Sequence, residues 1–525
     1  MSQPNIALFC LPTDQDLPEW PWEKRLLPDQ LFHAAEIVKA WVAQTEAEYV
    51  LFWDGSLGTP NPETCLAILK KPGEIWHAGL QLGAAGQPKV LNYLRPSWLL
   101  QVDAPAEIAS DSWRLNLRAC LIKTEIVRAA GVFRPDFSSF DASGLEWGYR
   151  LQMAGALIRH EPELLETSGH SSKIAFGLTD SLTFVALHFP RKWVYWAIFR
   201  LLANGANWLE LLRGIRNSRS KKRVRIEALE RPLEPEKARF EPEAWQGQVS
   251  VLMPTLHRYP YLINSLEQLK QQTIQPKEIL ITDQTDPESR REGFAKNYPG
   301  VQVFPQSEKG QCIAWNKLLE ASSAPYVLFL GDDADGIRPE FLENMCRTMA
   351  FYQADMVASH VIELGGAKDP YQYREVKMAD TFPITLIKKE LVLRAGSMDM
   401  AFNHGIRADM DLALRCRKLG AHMVFDSSLR ILHHRAPVGG LRWHQQRVLT
   451  RHLSKNHPFK IQFPADSEYY LFKKHFSTVQ RREYAYMMIL SQLFVQGSIF
   501  HKLLRMGWFL IQLPKILIRY SRLWR

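Results

Sequence analysis

The chain has 525 residues, 46% of them apolar, and a formal net charge of +10. That length is too great for one ordinary domain and the apolar share excludes a disordered polar chain, so about two to four domains with real cores are expected. The positive balance favours an anionic partner, whether a phosphorylated substrate, an anionic membrane or a nucleic acid, and by itself does not choose among them.

Asn5 to Thr13 reads as a strand ending in Leu11-Pro12-Thr13, and a second follows at Tyr49-Val50-Leu51-Phe52. The N-terminus lacks a basic region followed by an apolar run, so no secretory signal is expected. Cys10, Cys65, Cys120, Cys312, Cys346 and Cys416 show no C-x-x-C spacing. Neither a zinc site nor a disulfide framework is indicated, and a reducing cytosol fits. From Phe176 to Arg216 the pattern turns helical, with Trp193, Trp196 and Trp208 among apolar residues. Arg213, Arg216, Arg219, Lys221, Lys222, Arg223 and Arg225 follow without an acid among them. This is either an interfacial segment on an anionic leaflet or a helical hairpin with a solvated basic loop. Residues 226–247 alternate Pro, Glu and Arg like a linker.

In the second half the pattern predicts strands at Gln248–Pro254, Glu278–Asp283, Val301–Phe304 and Tyr326–Phe329, a helix at Tyr259–Gln272, and a β-α-β-α-β-α-β order. Such a sheet binds nucleotides beyond the C-terminal ends of its strands. Asp332, Asp333 and Asp335 stand at that edge, where hard oxygen ligands suit a divalent cation bridging phosphates. Asp283, also at a strand end, is either a base or ribose contact or a turn residue.

The first half echoes the second. Tyr49-Val50-Leu51-Phe52 repeats Tyr326-Val327-Leu328-Phe329, and Pro-Glu follows each Phe after ten residues. Ala130-Gly131 pairs with Ala395-Gly396, and Arg150–Gly155 with Arg415–Gly420, both at an offset of 265. The shared order argues for two copies of one α/β unit, against chance similarity of unrelated halves. The copies differ chemically, because Gly55, Ser56 and Gly58 stand where the second has its acids, and Gly144 aligns with Asp409. Pro12 to Tyr49 spans 37 residues against 72 from Pro254 to Tyr326, so about one strand–helix unit is missing.

Pro254-Thr255-Leu256-His257-Arg258, Ile281-Thr282-Asp283, Gly310–Asn316, Asp332-Asp333-Ala334-Asp335 and Ala408–Arg415 occur in that order, and together they resemble the family-2 glycosyltransferases, inverting enzymes of the GT-A type. The resemblance covers about residues 248–440. It implies a nucleotide-sugar site formed by Pro254, Thr255, Arg258, Asp283, Lys309, Gly310, Asn316, Asp332 and Asp333, with Asp283 on the base. It implies Mg²⁺ or Mn²⁺ held by Asp333, Asp335 and His434, and Asp409 as general base toward an acceptor hydroxyl. A hydroxyl attacks poorly unless a positioned base takes its proton. Asp409 also suits the first turn of a helix, which is the simpler reading of Asp411. Two departures from the family pattern are Ala408 in place of an acid and Gly439-Gly440-Leu441-Arg442-Trp443, which lacks the Gln of processive synthases. Single-sugar transfer is therefore expected.

After Glu483 no acid occurs, while Lys502, Arg505, Lys515, Arg519, Arg522 and Arg525 punctuate an apolar, aromatic stretch. Tyr484–Phe500 carries no charge but is a poor span, and Leu503–Leu523 reads as a helix lying among lipid headgroups, the alternative being a helical cap that closes the acceptor site with no lipid involved.

The expected organisation is α/β: two GT-A-like, Rossmann-related mixed-sheet domains plus amphipathic helical segments. A degenerate domain at 1–170 precedes an amphipathic helical segment with the basic run (171–225), a linker (226–247), the catalytic domain (248–440) and a membrane-associating helical segment (441–525). The expected activity is transfer of one sugar from a nucleotide-sugar to a glycan or lipid-linked acceptor in cell-surface polysaccharide synthesis. The setting is cytoplasmic, peripheral on the inner face of the plasma membrane, without nucleic-acid binding. A catalytically inactive glycan-binding or scaffold protein is the alternative. Nucleotidyl transfer would want a basic Gly-rich loop, which Leu256-His257-Arg258-Tyr259-Pro260 does not supply.

Overall fold

The computed structural model describes residues 4–12, 19–78, 89–94, 102, 104–165, 176–231, 240–291, 293–298, 300–365, 369–379, 382–434, 436, 439, 457–461, 463–495 and 497–524. The 166–175 boundary, residues 232–239 of the 226–247 linker and the tail of the Gly439–Trp443 motif lie outside these residues.

The first half forms a mixed sheet of β1 (Ile6–Leu11), β2 (Lys24–Leu26), β3 (Tyr49–Asp54), β4 (Ile75–His77), β5 (Ser110–Asp111), β6 (Ala119–Lys123) and β7 (Ile158–His160), ordered β2-β1-β3-β6-β4-β7-β5. The second contains β8 (Val249–Thr255), β9 (Glu278–Asp283), β10 (Val301–Pro305), β11 (Tyr326–Phe329), β12 (Ala334–Asp335), β13 (Met356–Glu363), β14 (Val376–Met378), β15 (Thr385–Lys388) and β16 (Met423–His433). Its order is β10-β9-β8-β11-β15-β13-β16-β12, with β14 also on β16. β1 and β8 are buried almost throughout, the pattern of strands covered on both faces.

The two sheets share one pairing scheme. β1–β3 and β8–β11 are parallel, β3–β6 and β11–β15 antiparallel, β4–β6 and β13–β15 antiparallel. β4–β7 and β13–β16 are parallel, and β5–β7 and β14–β16 antiparallel. β10 and β12 have no counterpart among the described residues of the first sheet. One expectation fails: two short 3₁₀ turns, Pro287–Ser289 and Phe294–Asn297, join β9 to β10 where a helix was predicted. Pro287 and the left-handed Gly293 (φ 73°) interrupt that connection before a longer helix can form.

Helices flank both sheets. In the first half they include α1 (Phe140–Ala154), α2 (Leu178–His188), α3 (Arg191–Ala203) and α4 (Trp208–Arg219). In the second they are α5 (Tyr259–Lys270), α6 (Gln311–Ala321), α7 (Ala408–Lys418), α8 (Asp466–His475), α9 (Thr478–Ser491) and α10 (Ile499–Ser521). Arg150 on α1 donates to the carbonyls of Ala130 and Val132 and to Glu146, which also meets His188 Nε2 at 3.0 Å. Arg415 on α7 donates to the carbonyls of Ala395 and Ser397 and to Asp411, which meets His475 Nε2 at 2.7 Å. Each half thus ties its long helix to the following helix through one buried Arg–carboxylate–His chain.

The halves dock reciprocally. Gly155, left-handed after α1 (φ 98°), abuts β14, where a Cβ would lie 2.7 Å from the Val376 carbonyl oxygen. Gly420, left-handed after α7 (φ 85°), abuts the Ala109 carbonyl just before β5. Equivalent positions thus meet equivalent strands, as in a two-fold interface. Asp111 on β5 seals the seam, accepting from Arg159 (3.0 Å) and the Met423 backbone N–H (2.8 Å) and pairing with His422 Nδ1 (2.7 Å). Arg200 on α3 and Glu483 on α9 make a buried two-point ion pair at 2.6 and 2.7 Å.

Candidate active site

Six of the residues predicted for the nucleotide-sugar site line one cavity of about 160 Å³ beyond the C-terminal ends of β8 and β11: Pro254, Thr255, Arg258, Gly310, Asp332 and Asp333. Strand geometry explains the grouping, since β8 and β11 are parallel neighbours whose last residues deliver Thr255 and the Asp332-Asp333 turn to one edge. Thr255 Oγ1 donates to Asp332 Oδ2 at 2.9 Å, and Arg258 Nη1 donates to Asp332 Oδ1 at 2.9 Å. The same guanidinium lies 3.3 Å from Asp333 Oδ2.

The neighbouring acids titrate differently. Burial pushes Asp332 up to about 6, and Arg258 only partly opposes it. Burial also acts to raise Asp333, but the His433 hydrogen bond, the His433 and Arg258 charges and the Ala436 N–H outweigh it and hold the carboxyl down at about 2. His433 is raised in turn by its bond to Asp333.

Three predicted residues lie off this cavity. Asp283 is buried, accepting from Tyr259 Oη at 2.6 Å and the Thr285 N–H at 3.0 Å, so it shapes the β9 turn and is not presented to a base. Asn316 bridges to the backbone of Met398 on both its donor and acceptor sides. Lys309 Nζ reaches Asp286 at 2.5 Å, and the other oxygen of Asp286 meets His257. Sequence reasoning missed Gln284, Gln311 and Trp315, which do line the cavity. Gln311 and Trp315 are four apart on α6, a spacing that puts both on one helix face once Gly310 is known to open the helix.

The predicted metal ligands divide into two pairs. His434 Nε2 lies 2.7 Å from Asp335 Oδ2, whereas Asp333 Oδ1 lies 3.1 Å from His433 Nε2. Among the described residues no group of three or more His, Cys, Asp or Glu side chains is arranged to hold a metal, so the expected Asp333, Asp335 and His434 triad is not preassembled. Asp333 is drawn away by His433, Arg258 and the Ala436 N–H. Asp335 and His434 are both partly exposed; the carboxylate suits Mn²⁺ or Mg²⁺ completed by other oxygens, while the imidazole favours a first-row transition ion over Mg²⁺. Burial acts to raise Asp335, yet hydrogen bonds from Gln268, Gly336 N–H, His434 and Asn264 hold it down at about 2.

Asp409 and Asp411 open α7 with opposite fates. Asp411 is buried and engaged by Arg415, Lys474 and His475. Those partners overcome its burial and lower it to about 2. Asp409 reaches solvent but is crowded by protein atoms, and this desolvation raises its carboxyl above the ordinary aspartate range. Of the pair, Asp409 is the one exposed to solvent. The loop before it packs on the first cavity: Gln311 N–H donates to the Asn403 carbonyl at 3.0 Å, and Gln311 Nε2 donates to the Gly405 carbonyl at 2.6 Å. A second cavity of about 350 Å³, lined by Met400, Asn403, His404, Gly405, Asp466 and Ser467 among others, lies along the same loop.

Residues 250–410 match the family model described as glycosyl transferase family 2. The chain carries a family-2 glycosyltransferase domain. No curated protein matches the chain. Among solved structures it is similar to S. aureus TarS, at 13% identity over 50% of this chain and 43% of that one, with TM-score 0.32. It therefore spans less than half of TarS. S. aureus TarS 1–349 in complex with UDP-GlcNAc is 13% identical over 52% of this chain and 75% of that one, with TM-score 0.31. The mannosyltransferase PcManGT from Pyrobaculum calidifontis, in complex with GDP-Man and Mn²⁺, is 15% identical over 54% and 86%, with TM-score 0.32.

Within the family-2 domain the tightest steric constraint is at Gly310, where a Cβ would overlap the Asn403 side chain. Asn403 cannot simply swing aside, because it is buried and its Oδ1 accepts from the Ile313 N–H. Gly310→Ala is therefore expected to cost about 1–3 kcal/mol of stability, the usual range for overpacking, measured by denaturant unfolding. An unchanged midpoint would mean the loop before Asp409 is not clamped by this contact.

Proposed function

We propose that this protein is an inverting glycosyltransferase that moves one sugar from a nucleotide-sugar donor to a hydroxyl of a lipid-linked glycan or glycolipid at an anionic membrane surface. The observation that carries the reading is the convergence of Thr255, Arg258, Asp332 and Asp333 on one strand-edge cavity, with Asp335 and His434 on the same β12–β16 ladder and Asp409 on the loop-and-helix unit packed against Gly310. We read the first half as a degenerate copy of this unit, on the strength of its matching strand scheme and its glycines at the acidic positions. At Gly144 a Cβ would sit 2.9 Å from Leu117 Cγ and 3.2 Å from the Leu115 carbonyl oxygen, so no carboxylate fits there.

In this reading Asp409 accepts the proton of the acceptor hydroxyl as its oxygen attacks the anomeric carbon. The new glycosidic C–O bond forms as the bond to the donor phosphate breaks, with inversion and no covalent intermediate. Arg258 holds Asp332 and Asp333 in place, and Thr255 fixes the second oxygen of Asp332. Asp335 and His434, with Asp333 nearby, would hold Mg²⁺ or Mn²⁺, which when bound offsets the charge of the departing diphosphate. The cavity lined by Asn403, His404 and Ser467 offers the acceptor a place along the loop that leads to Asp409.

The membrane part of the reading rests on apolar helix faces flanked by cations. Tyr195, Phe199, Leu202, Trp208, Leu209 and Leu212 are exposed on and between α3 and α4, and Ile499, Phe500, Leu503, Leu510, Ile511 and Ile518 on α10. Lys502, Lys515 and Arg519 are exposed along α10, and Arg213, Arg216 and Arg219 on α4. Arg505, expected among these surface cations, is instead buried and donates to the carbonyls of Gln492, Pro458 and Lys460. Among the described residues no helix is long and apolar enough to cross a membrane. Helices of this kind lie in the interface.

Asp409→Asn is expected to lower kcat for nucleoside diphosphate release from a panel of UDP- and GDP-sugars, with lipid extract as acceptor, by about 10²–10⁴-fold. Because a base works deprotonated and this carboxyl is raised, wild-type activity should be lost as pH falls through a limb lying above about 3.9, the unperturbed aspartate value. Near-normal turnover of the variant would refute the role of Asp409. Full-length protein is expected to float with anionic vesicles at physiological salt and less so with neutral ones, and protein left wholly in the soluble fraction would remove the membrane claim.

A further inference from the structure

The first sheet keeps a cavity of its own. It measures about 560 Å³ and lies beyond the C-terminal ends of β1 and β3, where Leu11, Pro12 and Asp54 line it. This is the same sheet edge that holds Pro254, Thr255 and Gly331 in the second half. Its volume falls in the range of small-molecule sites.

The polar centre of this cavity is Arg118. Its Nε and Nη2 donate to the two oxygens of Asp141 at 2.8 and 3.1 Å, and Nη1 donates to Asp54 Oδ2 at 3.2 Å. Three of the five guanidinium N–H groups are used in this way, leaving two to face a ligand oxygen. Asp54 keeps its other oxygen on the Ser56 N–H at 2.9 Å, so the Asp–Arg–Asp chain is fixed before any ligand arrives. Asp29 lies at the mouth and brings the described lining to three carboxylates against one guanidinium.

That balance disfavours phosphates and other anions. The arrangement of fixed acceptors beside spare donors suits hydroxyl groups, each of which both gives and takes a hydrogen bond. Phe32, Phe137 and Phe140 add aromatic faces to a wall that also holds Leu31, Pro135, Ser138 and Ser139, and Phe32 is 60% exposed. Such flat apolar faces cover the C–H surface of a ring whose edges are polar. No carboxylate stands where the second half has Asp409, because Leu115 and Leu117 fill the space beside Gly144.

We infer that the cavity at the β1–β3 edge, built from Arg118, Asp54, Asp141 and the Phe32 wall, is a non-transferring binding site for an uncharged saccharide. The inference does not depend on sugar transfer in the second half, and each stands if the other fails.

Saturation-transfer difference NMR on the full chain, with maltose, cellobiose and N,N′-diacetylchitobiose as probes, tests it. At least one probe should receive saturation, and the signal should persist when UDP, GDP and Mn²⁺ are added in excess. Arg118→Gln and Phe32→Ala should each weaken binding by about fivefold or more, the loss expected for a hydrogen bond or an apolar contact. Phe32 is a surface residue, so its variant keeps the test decisive should Arg118→Gln fail to fold. Saturation of no probe, a signal unaltered in Phe32→Ala, or one displaced by nucleotide would overturn the assignment.

Discussion

Everything at the edge of the second sheet depends on Arg258 reaching back from the β8 turn to Asp332 and Asp333. Two carboxylates brought side by side at the end of a buried strand repel each other and lose hydration. One guanidinium, within 2.9 Å of the first and 3.3 Å of the second, makes the arrangement tolerable. The balance is incomplete, as the raised Asp332 shows. Asp333 has the further help of His433 and the Ala436 N–H and stays ionised. The edge is thus a charged cradle held partly by its own internal pairing, and under the proposed function it receives a ligand that brings phosphate and cation together.

The comparison between halves gives that cradle its meaning. Both halves retain the framework: the same ladder of parallel and antiparallel pairs, and the same Arg–carboxylate–His chain from the long helix to the next one. These features are buried and serve packing. Apart from β10 and β12, which have no counterpart among the described residues of the first sheet, the differences lie at the mouth, where the first half has Gly55, Ser56 and Gly58 for the acids, Arg118 between Asp54 and Asp141, and a backbone that closes over Gly144. On the proposed reading, this is a framework repeated with altered lips, in which folding requires the same core of both units and chemistry requires acids of only one. The reciprocal seating of Gly155 on β14 and Gly420 beside β5 joins the units through equivalent surfaces.

Much of this was legible in the chain. The apolar runs Tyr49–Phe52 and Tyr326–Phe329 announced the central strands because strands covered on both faces have no polar positions to disguise them. The 265-residue offset was readable because Arg150 and Arg415 hold equivalent loop carbonyls, which fixes loop length as well as residue type. Asp409 and Asp411 are told apart by the family resemblance and not by charge pattern, since what separates them physically is His475, 64 residues away from Asp411. Of the two readings left open for Asp283, its bonds from Tyr259 and the Thr285 N–H match the turn residue, and Tyr259, 24 residues away, carries no local signal of that contact. The split of Asp333 and Asp335 between two adjacent histidines likewise depends on the β12–β16 pairing. Arg505 looked like a surface cation because its acceptors are backbone carbonyls, which carry no sequence signature.

The central claim is that the second sheet binds a nucleoside diphosphate together with a divalent cation at its acidic edge. The most direct measurement is the melting temperature of the full chain with UDP, GDP, ADP and CDP, each with and without Mn²⁺, in the wild type and in Asp335→Ala. The account predicts stabilisation by one of these nucleotides that requires Mn²⁺ and disappears in the variant. Stabilisation that is independent of the metal, or equal in Asp335→Ala, would contradict it.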